Sequence, residues 1–217
     1  MSNSAMCLFY SPGACSLASH IALEETGAPF EARRVNFAEA EQRSPAYLAV
    51  NPKGRVPALR DGDFVITENP AILRYIARQH RGAGLWPEDP QAEARCAEWL
   101  AWCSSGLHIA YAHIRRPERY AAGEAAQADV VARGFETTRA GWEEVERKLA
   151  GSGDPWAAGA GYSVADPYLL VLWTWGRGQV LGYDMAGDFP AWTDHARRMG
   201  ERPAVRRALA REGIAAP

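Results

Sequence analysis

Apolar positions change their period once along this chain, and the change divides it. Cys7 to Tyr10 is a short apolar block, predicting a β-strand, and Ser16 to Thr26 follows as an amphipathic helix. Gly27 stands where helices commonly end in a left-handed turn. Phe30 to Phe37 alternates, with Val35 and Phe37 in step, and predicts a second strand. Val56 to Arg60, the turn Asp61-Gly62-Asp63, and Phe64 to Thr67 together predict a β-hairpin. Asn69 and Pro70 then occupy the cap and first-turn positions of a helix that keeps Ala71, Ile72, Tyr75 and Ile76 on one side. The predicted order is β-α-β, a break, then β-β-α.

Arg81 to Pro90, with Gly82, Gly84, Pro87 and Pro90, interrupts the pattern, and beyond it strand signals disappear. From Gln91 to His113 the residues Cys96, Trp99, Leu100, Cys103, Leu107 and Tyr111 fall at helical spacing. From Glu124 to Leu149 the positions Ala128, Val131, Phe135, Thr138, Trp142, Val145 and Leu149 step by three and four. Such spacing predicts helices packed on helices. After the glycine-rich loop Gly151 to Gly161, Ser163 and Asp166 have the spacing of a capping box. The helix they start, Val164 to Trp175, is apolar nearly all round and belongs in the middle of a bundle. Two amphipathic helices, around Ala191 to Met199 and Ala204 to Arg211, close the chain. The pattern predicts a mixed α/β domain over residues 1–81 and an all-α domain over residues 90–217.

Composition narrows the class. The 217 residues are 47% hydrophobic and 23% charged, as in ordinary globular proteins. A formal charge of −2 argues against nucleic acid or an anionic membrane as partner. Four cysteines (Cys7, Cys15, Cys96 and Cys103) make neither a disulfide framework nor a C-x-x-C pair. Met1 to Met6 carries no basic region and no apolar run, and no stretch approaches the length of a membrane span. The expectation is a reduced, cytoplasmic protein.

Four places carry chemistry. In Tyr10-Ser11-Pro12-Gly13-Ala14-Cys15-Ser16, a cysteine and hydroxyls sit at a helix start, where unpaired N–H groups favour negative charge. A free thiol titrates near ~8.5, and a helix N-terminus lowers that by about a unit or more. The site can thus hold a sulfur anion, its own or that of a bound thiol. Cys15 reads equally as a small buried hydrophobe, Ser16 as an N-cap and Tyr10 as core. In Asn51-Pro52-Lys53-Gly54-Arg55-Val56-Pro57, two prolines flank a glycine turn before a strand. A cis Pro57 would turn the backbone of Val56 outward, where a short peptide could pair with it; a proline-bearing edge strand is the plainer reading. At Thr67-Glu68-Asn69, Glu68 could receive an ammonium, while Asn69 and helix N–H groups receive a carboxylate; a plain cap with a solvated neighbour is the alternative. Ser104, Ser105 and His108 form a polar stripe in an apolar helix. Cys103, His108 and His113 lie five apart and point in different directions, which disfavours a metal site, and His20, His80 and His195 read as scattered singles.

Taken in order, these segments resemble a cytosolic glutathione transferase, most closely the bacterial beta class, over nearly the whole length. The matching stretches run from Phe9 to His20, from Asn51 to Leu59 and through Thr67-Glu68. In the second half they are Glu98-Trp99-Leu100, Leu107-His108, Ser163 to Tyr168 and Arg198 to Val205. The resemblance implies a thioredoxin-like first domain that binds glutathione as co-substrate. It implies an all-helical second domain that forms the side of a second substrate, a small hydrophobic electrophile. It places Cys15, Ser16, Tyr10 and His108 at the sulfur, with Ser105 approaching from the helical domain. Val56 with Pro57 would hold the cysteinyl backbone, Glu68 and Asn69 the γ-glutamyl group, and Asp166 would cap a helix. It also implies a homodimer and an interdomain pocket, for which Trp102, Tyr111, Ile114 and Trp173 are candidate walls.

The chain departs from that pattern at four positions. Ala40 stands where the class usually has lysine, Ala101 where asparagine is frequent, Ile109 in place of a basic residue, and Asn69 for serine or glycine. Losing two or three polar contacts would weaken binding roughly 10- to 100-fold. The implied activity is conjugation of the glutathione thiolate, with peroxidase or thiol–disulfide chemistry through Cys15 as an extension. A non-catalytic binding or regulatory protein on the same fold is the competing reading.

Overall fold

The computed structural model describes residues 5–217. Its sheet has four strands, β1 (Met6–Tyr10), β2 (Phe30–Arg34), β3 (Ala58–Asp61) and β4 (Phe64–Thr67), in the order β2-β1-β3-β4. β1 runs parallel to β2 and antiparallel to β3, and β3 and β4 form the expected hairpin. Alternation along β1 sorts its side chains between two cores. Leu8 and Tyr10, with Leu59, pack beneath α1 (Ser16–Thr26), while Cys7 and Phe9, with Ala58, face Tyr47. The second strand ends at Arg34 and not at Phe37. Val35 still donates its N–H to the Tyr10 carbonyl at 2.7 Å, but the chain then turns away and Phe37 is exposed.

Tyr47 lies on α2 (Pro45–Leu48), a single turn capped by Ser44, whose hydroxyl accepts from the Tyr47 N–H at 3.2 Å. α3 (Asn69–Gln79) returns across the sheet beside α1, burying Ile72, Leu73 and Ile76.

All further helices belong to the second half. α4 (Pro90–Trp102) passes into a π-helical turn over Cys103–Leu107, and the chain continues as α5 (His108–Arg115). The expected single helix from Gln91 to His113 is therefore two. At the junction the His108 N–H reaches the Cys103 carbonyl five residues back. The wider turn re-phases the helix, so Cys103 and Leu107 stay in the core while His108 is half-buried beside it. α6 (Glu124–Ser152) buries Gly134, Thr138, Trp142 and Val145. Gly134, and not Phe135, meets α5, since a Cβ there would come within 2.9 Å of Ile114. Phe135 is left exposed.

α7 (Ala165–Gly176) is buried along nearly its whole length, as its sequence requires. Its start carries the expected reciprocal cap. The Asp166 carboxylate accepts from the Ser163 N–H at 2.7 Å, and the Ser163 hydroxyl accepts from the Ala165 N–H at 3.3 Å. Asp166 also accepts from the Ala157 N–H, and bonds His195 at 2.9 Å, so His195 is not a scattered single residue. α8 (Met185–Asp188), α9 (Pro190–Glu201) and α10 (Pro203–Glu212) complete the chain, with α7 and α10 packed on α1. Among the described residues no helix is long and apolar enough to cross a membrane.

Candidate functional site

A cleft of about 690 Å³ opens where the loop after β1, the residues before β3 and the start of α3 face α5 and the end of α7. Its floor is the start of α1. Cys15 occupies the N-cap position, with Ser16 as the first helical residue. The Ser16 hydroxyl points into the protein, accepting from the Ser11 N–H at 3.2 Å and donating to the Ser11 carbonyl at 3.3 Å. It braces the loop and is fully buried. The Cys15 thiol does line the cleft and donates to the Val56 carbonyl at 3.4 Å.

Burial pushes that thiol up to about 12, and the Glu68 carboxylate adds to the rise. Backbone hydrogen bonds at Cys15 and Ser16, and Arg55, act in the opposite direction and are outweighed. Cys15 is therefore protonated at pH 7. Of the two sulfur anions the sequence left open, this disfavours the one on Cys15 itself: desolvation beats the helix N-terminus, and the side chain is a neutral donor.

Val56 and Pro57 line the cleft beside Cys15, and the peptide bond between them is cis. Their loop is held from behind. The Arg55 carbonyl accepts from the Tyr47 hydroxyl at 2.7 Å and from the Asn51 amide at 2.6 Å. Gly54 passes so close to this brace, at φ +60°, that a Cβ would meet the Gln42 carbonyl at 2.9 Å.

Glu68 sits at the β4–α3 junction with φ +74°, a conformation a glutamate adopts only under constraint. Its carboxylate lines the cleft and accepts from Lys53 at 2.5 Å. Asn69 lines the same wall, but its side chain is already engaged. It donates to the Cys15 carbonyl at 2.6 Å and accepts from the Ser19 hydroxyl at 2.6 Å. What this corner can offer an anion is the unpaired N–H groups of the first turn of α3.

The opposite wall comes from the helical domain. His108 bonds the Tyr168 hydroxyl through Nδ1 at 3.2 Å, and its ring meets Trp175 edge-on at 4.9 Å. Burial, with Arg55 and Arg119 adding to it, holds His108 down at about 4, so the imidazole is neutral at pH 7. The Tyr168 phenol is held well above its usual range by burial and keeps its proton. A Tyr168 O–H donated to Nδ1 leaves the ring proton on Nε2. Tyr111 stacks on Trp175 at 4.6 Å, and the Trp175 indole donates to the Gly13 carbonyl at 2.9 Å, tying this wall to the Cys15 loop.

The structure thus brings Cys15, Val56, Pro57, Glu68, Asn69 and His108 to one cleft. Ser16 lies behind it. Tyr10 packs its ring on His20 at 5.0 Å in the core beneath α1. Ser105 is exposed, its hydroxyl returned to the Ala101 carbonyl at 2.8 Å, and Ser104 lines the cleft in its place. Of the four candidate walls only Tyr111 lines it. Trp102 lies tilted against Trp99, Ile114 packs against Gly134, and Trp173 donates to Thr193 at 3.1 Å. Trp175 and Tyr168 were missed, although both stand in the apolar helix that the sequence placed centrally.

Comparison with known proteins places the fold in a family. The family described as "Glutathione S-transferase, N-terminal domain" matches residues 4–78. The chain is 34% identical to the glutathione S-transferase GstA of Escherichia coli O157:H7, over 96% of this chain and all of that one. A glutathione transferase homologue from Sulfitobacter, solved with bound glutathione, is 39% identical, with a TM-score of 0.89 over 97% of this chain and 99% of the other. A bacterial beta-class glutathione S-transferase from Sphingomonas chungbukensis is 36% identical, with a TM-score of 0.80 over 96% of this chain and all of that one. Full-length identity of this order, on the same fold, makes the chain a member of the glutathione S-transferase family, bacterial beta-like in type.

Proposed function

We propose that this protein conjugates glutathione to small hydrophobic electrophiles in the cleft between its two domains. The observation that carries this reading is the convergence of Cys15 and Glu68, from the thioredoxin-like domain, with His108 from the helical one. Bound glutathione supplies the thiolate nucleophile. The first N–H groups of α1 stabilise that anion, and the protonated Cys15 thiol turns from the Val56 carbonyl to donate to it. The backbone of Val56 aligns the cysteinyl unit. Glu68 takes the ammonium, and the N–H groups at the start of α3 take the γ-glutamyl carboxylate. His108, neutral and with its proton on Nε2, supplies a further donor from the electrophile side.

Because Cys15 stays protonated at neutral pH, conjugation is favoured there over thiol–disulfide or peroxidase chemistry through Cys15 itself. The cytoplasm, where glutathione is reduced and free cysteines persist, is the matching compartment. A homodimer goes with the reading. Phe64 and Val65 are exposed, and Phe64 packs on Tyr75 at the groove between α3 and α4, which offers a second copy an apolar face. Sedimentation velocity tests that assembly.

The activity test is conjugation of glutathione to chlorodinitrobenzene, followed by absorbance, in the wild type and in Cys15→Ala. Saturable turnover is expected in both, with the variant within about 10-fold, because one neutral donor is worth only about 1 kcal/mol. No turnover, together with no retention on immobilised glutathione, would overturn the reading in favour of a non-catalytic binding protein.

A further inference from the structure

The cleft carries a charge that the chain as a whole does not. The protein has a formal charge of −2, yet Arg43, Arg55, Arg115, Arg116 and Arg119 line the cleft against the carboxylates of Glu68 and Glu118 alone. Among the described residues none of these five guanidinium groups lies in an ion pair, whereas Glu68 already holds Lys53. Arg115 and Arg116 are at the end of α5, and Arg119 is in the short turn Pro117–Arg119 that follows. Arg55 faces them from the thioredoxin-like side.

Neighbouring groups register the crowding. Arg119 is held below its ordinary value by desolvation first, then by Arg55 and Arg116. Unpaired like charges on facing walls repel, and the repulsion is relieved when an anion lies between them. Apolar surface borders the cluster. Ile109 and Tyr120 are 37% and 41% exposed, and Tyr111 is stacked on Trp175. Glutathione held at Cys15, Val56, Glu68 and the start of α3 draws on the first-domain wall. With Arg43 and Arg55 on that wall for its glycyl carboxylate, the arginines of the helical wall are left to the other substrate.

Building on the transferase reading, we infer that the second substrate is an anion: an apolar, ring-bearing electrophile whose carboxylate or sulfonate sits against Arg115 and Arg119 while its ring packs beside Tyr111. The guanidinium fork suits planar oxyanions, and the bordering aromatics suit a planar body. Ile109 makes the part of the wall next to His108 apolar. The cationic groups lie further along, at the end of α5 and in the turn after it.

Two measurements on the full chain separate this inference from the reading beneath it. The first is fluorescence titration with anilinonaphthalenesulfonate and with uncharged phenylnaphthylamine, in wild type and Arg119→Gln. The sulfonate is expected to bind about 10-fold more tightly than the amine, a preference that weakens with salt and falls by about 10-fold in Arg119→Gln. Equal affinities for the two probes, or a preference that survives in Arg119→Gln and in Arg115→Gln, would overturn the inference. So would weakened glutathione binding in Arg119→Gln with unchanged sulfonate binding, which would assign that arginine to glutathione.

The second measurement compares kcat/KM for chlorodinitrobenzoate and chlorodinitrobenzene, each divided by its uncatalysed rate with glutathione. In both reactions a carbon–sulfur bond replaces the carbon–chlorine bond. Chloride leaves with the bonding pair, and the thiol proton passes to buffer. The benzoate is expected to be favoured, and equal ratios would overturn the inference while leaving the transferase reading intact. Absence of turnover of either nitroaromatic, with the sulfonate preference present, would instead overturn the transferase reading and support the oxyanion site.

Discussion

Removing the Glu212 side chain will loosen the last helix from the first domain and destabilise the protein. Glu212 ends α10, and its carboxylate is buried against the other domain. One oxygen meets His20 Nδ1 at 2.8 Å, and both side chains are fully buried. The other accepts from the Gly13 N–H at 3.0 Å, in the loop that leads to Cys15. Hydrogen bonds to a charged group are worth about 1.5–3 kcal/mol each, and a buried partner left alone adds its desolvation penalty. Glu212→Ala is therefore expected to cost about 3–5 kcal/mol. For a chain of this length that lowers Tm by roughly 10 °C. Glu212→Gln keeps the shape and can still bond both partners, so about 1–2 kcal/mol is expected. Urea unfolding of the three proteins gives the numbers, and the KM for glutathione should rise in Glu212→Ala because the Gly13 loop loses a tether. An alanine variant within about 1 kcal/mol of wild type would refute the argument that this buried pair joins the domains.

Three further outcomes follow from the geometry. Asp166→Ala removes the acceptor of the Ala157 and Ser163 N–H groups and the partner of His195, and is expected to cost about 4 kcal/mol or more; recovery of soluble, refoldable protein comparable to wild type would contradict this. His108 titrates at about 4 when folded and near 6.5 when unfolded, so as pH falls through that window the unfolded chain binds the proton first and stability is lost. The stability difference between wild type and His108→Gln should accordingly shrink by about 3 kcal/mol from pH 7 to pH 4, and a pH-independent difference would contradict the buried neutral imidazole. Alkylation of Cys15 by iodoacetamide, read against Cys15→Ser, is expected to keep rising about tenfold per pH unit without levelling off below about pH 10, whereas a plateau near neutrality would mean a stabilised thiolate.

Much of the fold was legible because it is written in local period. The β1 block, the Asp61-Gly62-Asp63 hairpin, the Asn69-Pro70 helix start and the apolar α7 all announce themselves within a few residues. α2 did not, because one turn is too short to show a period; only Ser44-Pro45 marked it. The π-helical turn before His108 was also hidden. Its bond spans five residues instead of four, and Gly106 is the single trace, since a Cβ there would strike the Trp102 ring at 2.8 Å. The site divides in the same way. Cys15, Glu68 and His108 stand out as polar or strained points within apolar elements. Trp175 and Glu212 do not, because their partners Gly13 and His20 lie 162 and 192 residues away, and a bond across that separation leaves no local pattern. The state of Cys15 stayed open in the sequence for a related reason: a helix start is visible there, but the desolvation that outweighs it is a property of the packed cleft.

The central claim is that the cleft holds glutathione without needing Cys15 as a nucleophile. Calorimetric titration of glutathione into the wild type and Cys15→Ala, at neutral pH under reducing conditions, tests it directly. Saturable binding at one site per chain is expected in both proteins, with affinities within about 10-fold of each other. Absence of binding heat in both would contradict it.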